Sequence, residues 1–124
     1  MTKLASDRNT KHREGILLGL EAGEEIFGGS MVAVNANGQA VPATASGKDC
    51  VGVARHHAAK GEQVRVRRGT FNFADDAGDI TRADIGVTAY VVDDQTITKT
   101  KAEGVSAVAG IIRDVDSDGV WVEM

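Results

Sequence analysis

Aromatic residues are scarce in this 124-residue chain: three Phe, one Tyr and one Trp, 4% of the total. A core drawn from this composition rests on Val, Ile, Leu and Ala, and is thin. A single cysteine excludes an intramolecular disulfide framework and fits a reducing compartment. No apolar run approaches the ~20 residues of a membrane span. Ile16-Leu17-Leu18 is broken by Gly19 and follows a polar arm, so it makes a poor signal peptide. A basic excess is missing too, with 14 basic against 18 acidic side chains and a net charge of -4. That balance argues against a dedicated nucleic-acid binder. The expectation is a soluble protein made in the cytoplasm, with neither membrane nor nucleic acid as partner. The length suits one domain.

The charge is unevenly placed. Up to Arg13 the chain carries Lys3, Arg8, Lys11 and Arg13 against Asp7 alone, while the remainder carries 10 basic and 17 acidic residues. Thr2 to Glu14 also holds little that is apolar beyond Leu4 and Ala5. So polar a segment cannot offset its ordering entropy by burial. Residues 1–15 therefore read as a flexible basic arm that orders against a partner, and 16–124 as a single β domain.

What is present reads as strands. Fifteen glycines penalise helix interiors. Val32-Ala33-Val34 leads into Asn35-Ala36-Asn37-Gly38, a hairpin signal. Gln63-Val64-Arg65-Val66-Arg67 alternates with period two, placing valines on one face and arginines on the other. Tyr90-Val91-Val92 and Thr96-Ile97-Thr98 flank a turn, as do Ala109 to Ile112 and Val120-Trp121-Val122. Thr81-Arg82-Ala83-Asp84 is the one capping-box-like helical turn. The fold class is all-β, a small barrel or sandwich.

The body also echoes itself. Gly52-Val53-Ala54-Arg55 with Gly61 recurs as Gly110-Ile111-Ile112-Arg113 with Gly119, 58 positions on. The same offset carries Gly28 onto Gly86, Val34 onto Val92 and Asn35 onto Asp93. This pattern suggests a duplicated β-meander, and two such units packed face to face would make a small sandwich or barrel.

Chemical signatures are weak. Asp114 to Gly119 opens like a calcium loop, but its twelfth position falls beyond Met124, and a solvated hairpin turn is the better reading. Cys50, His56 and His57 do not make a zinc site: along a strand Cys50 and His56 lie ~20 Å apart, and adjacent histidines face opposite ways. Cys50 reads as a small core hydrophobe. Gly47-Lys48-Asp49 lacks the rest of a phosphate loop. No spacing positions a nucleophile. No catalytic, metal or cofactor residue is assigned. Tyr90 and Trp121 sit in strand patterns that read as buried, which disfavours sugar binding. Arg65, Arg67 and Arg68 form a basic edge opposite in sign to the acidic stretch that begins at Asp75 and Asp76, and these five are candidate subunit contacts.

Several stretches together resemble a known family. They are Arg8-Asn9-Thr10, Glu24 through Asn35, Gly38 through Ala43, and Val51 through Ala54, followed by Val64 through Gly69 and Ala83 through Gly86. Tyr90 through Thr96, Ala109 through Ile112 and Val120 through Val122 complete the series. In order and number they resemble the tailed-phage capsid cement, or head decoration, proteins, from Arg8 to Val122. The resemblance implies a non-enzymatic virion component on the outer surface of the head, without cofactor, that binds the major capsid protein and itself, commonly as a homotrimer. It implies that the arm, with Lys3, Leu4, Arg8, Asn9, Thr10, Lys11 and Arg13, contacts the capsid. The alternatives are another virion β-module, such as a head fibre base or tail component, or a small calcium- or glycan-binding domain.

Overall fold

The computed structural model describes residues 17–124, together with Lys3, Ala5 and Ser6. Lys3 is exposed; the other arm residues singled out above, Leu4, Arg8, Asn9, Thr10, Lys11 and Arg13, lie outside the described residues. Ten strands follow in order: β1 (Leu17–Glu21), β2 (Met31–Val34), β3 (Ala40–Pro42), β4 (Gly52–Ala54), β5 (Gln63–Arg67), β6 (Thr70–Asp75), β7 (Thr88–Val91), β8 (Thr96–Thr98), β9 (Val108–Asp116) and β10 (Gly119–Glu123). A 3-10 turn at Arg82–Asp84 is the sole helical piece among the described residues. The all-β expectation holds.

The strands form a five-stranded sheet ordered β1-β5-β4-β2-β3 and a closed five-stranded barrel. Read round from β6, the barrel runs β6-β10-β9-β7-β8, the same order shifted by five strands. The registers agree as well. Val53 faces Arg67 as Ile111 faces Glu123, and Val34 faces Ala40 as Val91 faces Ile97. Leu18 faces Val66 as Phe71 faces Val122. The barrel closes through the parallel pair Asp75 with Ile97; the first sheet curls to the equivalent parallel bridge, Ala22 with Ala40. Each unit is thus one copy of the repeat. The echo shifts by a residue or so between strands because the turns differ in length.

Local chemistry explains the elements. The Asn35 Oδ1 accepts from the amides of Asn37 and Gln39, and the Asp93 Oδ1 accepts from the amide of Gln95, so both tight turns are held by a side chain that mimics backbone. β5 alternates as expected, with Val64 and Val66 fully buried and Gln63, Arg65 and Arg67 exposed. Thr81 caps the 3-10 turn: its hydroxyl accepts from Ala83 N–H, and Asp84 Oδ2 accepts from Thr81 N–H.

Two apolar clusters result. One lies inside the first unit, with Ile26, Val32, Val64 and Val66 among small alanines. The other fills the second barrel with Val91, Ile97, Ile112, Val120 and Val122, and extends onto Met31, Ala33 and Val53 of the first unit. β2 is therefore buried on both faces, Val32 inward and Met31 and Ala33 toward the second barrel. Phe73 is the one aromatic side chain in either core. Trp121 and Tyr90 correct the reading of buried aromatics. They alternate with the inward pairs Val120/Val122 and Ala89/Val91 and stand half-buried outside the barrel. Period-two alternation places them outward.

Two equivalent glycines carry the curl of the strands. Gly52 has φ +155, and a Cβ there would meet the Arg67 carbonyl oxygen at 2.7 Å. Gly110, at φ +158, approaches the Glu123 carbonyl more closely still. No side chain fits between those crossing strands, and the backbone conformation itself disfavours one. Gly110→Ala is expected to cost about 2 kcal/mol or more, read as a lowered urea midpoint. An unchanged midpoint would contradict this account of the curl.

Candidate functional site

The described residues carry their chemistry on surfaces rather than in an enclosed cavity. A concavity of about 600 Å³ is an open groove where the units meet, bordered by Phe27, Ser30, Asn72, Asp94, Gln95 and Asp118. Asp94 ties the units across it: its carbonyl accepts from Met31 N–H at 2.7 Å and its carboxylate from the Ser30 hydroxyl at 3.1 Å.

The five candidate contact residues separate. Arg65, Arg67 and Arg68 are all exposed, Arg65 and Arg67 on the outward face of β5. Asp76 is exposed as well. Asp75 is half-buried instead; its Oδ2 accepts from Ile80 N–H at 2.9 Å, and its Oδ1 is buried without a partner among the described residues. Asp75 thus ties down the start of the 76–87 connection, while Asp76 offers its carboxylate to the surface.

The Asp114–Gly119 stretch spans the end of β9, the turn and the start of β10, and the carboxylates of Asp114 and Asp116 are engaged. Asp114 accepts from Arg82 Nη1 at 2.7 Å, and Asp116 Oδ1 accepts from Asp118 N–H and Trp121 Nε1–H. Among the described residues no three His, Cys, Asp or Glu side chains gather as metal ligands. His56 Nε2 accepts from Arg65 N–H at 3.2 Å, and His57 Nε2 faces Glu25 at 3.1 Å. Cys50 packs half-buried against the second core, 3.4 Å from the Met124 sulfur; burial pushes its thiol pKa up. This makes it a poor thiolate at neutral pH.

Three exposed apolar side chains escaped the sequence reading. Phe27 is 59% exposed, stacked on His57 with ring centroids 5.2 Å apart, and Ile85 and Val87 are each 40% exposed. They occupy corresponding connections, β1–β2 and β6–β7, beside Gly28-Gly29 and Gly86. A bulky apolar residue next to turn glycines was the available signal.

Electrostatics divides along the repeat. Residues 17–68 carry six basic and five acidic side chains, and residues 69–124 carry four and eleven. In the second unit Arg82, Lys99 and Arg113 all pair, with Asp114, Asp84 and Glu123. No arginine or lysine of the first unit has an ion-pair partner among the described residues. No protein-family model matches this chain, and no curated protein matches it.

Asp84 connects this surface to pH. Hydrogen bonds from Thr81 N–H, then from the Lys99 ammonium at 3.1 Å, hold its carboxyl below the ordinary carboxylate range. A depressed folded-state pKa stabilises the protein above the ordinary carboxyl value of about 4 and loses that contribution as pH falls through the folded value. Asp84→Asn is therefore expected to melt below wild type at neutral pH, with the gap closing progressively below about pH 4. A gap independent of pH would contradict the role given to the charge.

Proposed function

We propose that this chain is a capsid decoration, or cement, protein of tailed-phage heads, a non-enzymatic virion component that binds the outer surface and bridges major capsid subunits. The observation that carries the reading is a repeated five-stranded unit, a curled sheet joined to a closed barrel, with its chemistry spread over outward faces and a basic polar segment before it in the sequence. A compact block of this kind suits a protein whose task is contact. The order of motifs from Arg8 to Val122, which resembles the cement family, supports the same reading.

Mechanically the protein acts as glue. Each copy buries modest area, and an assembly that touches several capsid subunits gains by multivalency. Residues 2–13 extend along the shell and add main-chain hydrogen bonds to an exposed strand edge. Lys3, Arg8, Lys11 and Arg13 meet acidic capsid surface there. Self-association as a trimer at three-fold positions places three arms at once. Bridged subunits raise the cost of opening a shell under internal pressure.

Deletion of residues 2–13 is the direct test. The truncated protein is expected to keep its β-sheet circular dichroism and its melting temperature, while co-sedimentation with purified heads falls at least ~100-fold in affinity, as the loss of one arm of a multivalent contact implies. Undiminished binding by the truncated protein would overturn the arm's part in the reading.

A further inference from the structure

The duplicated fold provides an internal control for every surface position, and one comparison between its halves stands out. On the outer face of the second barrel, Arg113 of β9 and Glu123 of β10 form an ion pair, Nε to Oε1, at 2.7 Å. The registers place Arg67 where Glu123 stands, since Val53 faces Arg67 as Ile111 faces Glu123, and the 58-residue offset sets Arg55, one residue beyond β4, against Arg113. The first unit thus sets two arginines on the diagonal that the second fills with opposite charges. Like charges across strands are unfavourable, and none of the four exposed cations Arg55, Arg65, Arg67 and Arg68 has a carboxylate partner among the described residues.

Two shallow clefts lie among these arginines. Arg55 and Arg65 border a shallow cleft of about 320 Å³ with His56. Arg67 and Arg68 border a second cleft of about 340 Å³, walled by Gly69, Thr70 and the half-buried Phe71. Arginine-rimmed clefts beside an aromatic wall fit carboxylates flanking an apolar side chain.

That complement is present on the same chain. The 76–87 connection of the second unit presents the exposed carboxylates of Asp76 and Asp79, outside any ion pair among the described residues, beside Ile85 and Val87 at 40% exposure. The second unit as a whole carries eleven acidic against four basic side chains. We infer that the β4–β5 arginine face of the first unit docks the acidic 76–87 connection of a second copy, head to tail. The missing carboxylate of the first unit is then supplied from outside. A heterologous contact of this kind closes into a ring when its rotation permits. The inference deepens the self-association part of the proposed function. Its test uses purified protein without heads, so its failure and the failure of capsid binding are distinguishable.

Arg67→Glu is the decisive variant, because it places within the first unit the charge pair already present in the second. It is expected to fold with an unchanged or raised urea midpoint, so weakened assembly cannot be ascribed to misfolding. By sedimentation velocity in roughly 0.1 M salt, wild type is expected to self-associate, with association weakening as salt rises to roughly 1 M. Arg67→Glu and the double variant Asp76→Lys/Asp79→Lys are each expected to associate at least ~30-fold more weakly, and their mixture to regain association. A monomeric wild type would overturn the inference, as would normal association of Arg67→Glu. A mixture that stayed dissociated would remove the 76–87 connection as the occupant.

Discussion

The curl of both units depends on a close approach of neighbouring backbones at two equivalent glycines. At Gly52 and at Gly110 a strand passes so near the carbonyl of its neighbour, Arg67 or Glu123, that no side chain can intervene. That approach lets a ladder of three- to nine-residue strands curl toward closure around a handful of small apolar side chains. A wider barrel would need the large aromatics this sequence lacks. The thin core is thus matched to a tight curl, and the second barrel extends its core onto Met31, Ala33 and Val53 of the first.

Duplication leaves the two halves with one scaffold and different surfaces. The same register position carries arginine in the first unit and glutamate in the second, and the same connection carries Phe27 in one and Ile85 with Val87 in the other. The inward positions keep one character in both units. Outward positions are released from packing and diverge. The net charge of -4 conceals a near-neutral first unit preceded by a basic segment and a strongly acidic second unit. A chain polarised in this way has an electrostatic reason to order itself against copies and partners.

Much of this was legible in residues alone. The β5 alternation, the Asn35 turn, the Thr81 capping box and the glycine echo each report a local rule, and local rules survive folding. Trp121 and Tyr90 sit in strands, but the apolar strand pattern alone does not say that they fall on the outward phase of the alternation. Asp75 reads in sequence as an acidic surface residue, and only the path of the 75–80 connection turns its carboxylate inward onto Ile80 N–H. The Arg55–Arg67 diagonal could not be read at all, since it exists only once the register of β4 against β5 is known. The exposed Phe27 lay in plain view beside Gly28 and Gly29, but its exposure depends on which face of the turn meets solvent.

We propose that this two-unit β block sits on the outside of a phage head. Cryo-electron microscopy of heads incubated with the purified full-length protein tests it most directly. The expected result is density for both β units, repeated at quasi-equivalent positions across the outer surface and lying over the junctions between major capsid subunits. Bare heads, or density confined to one vertex or to the tail, would contradict it.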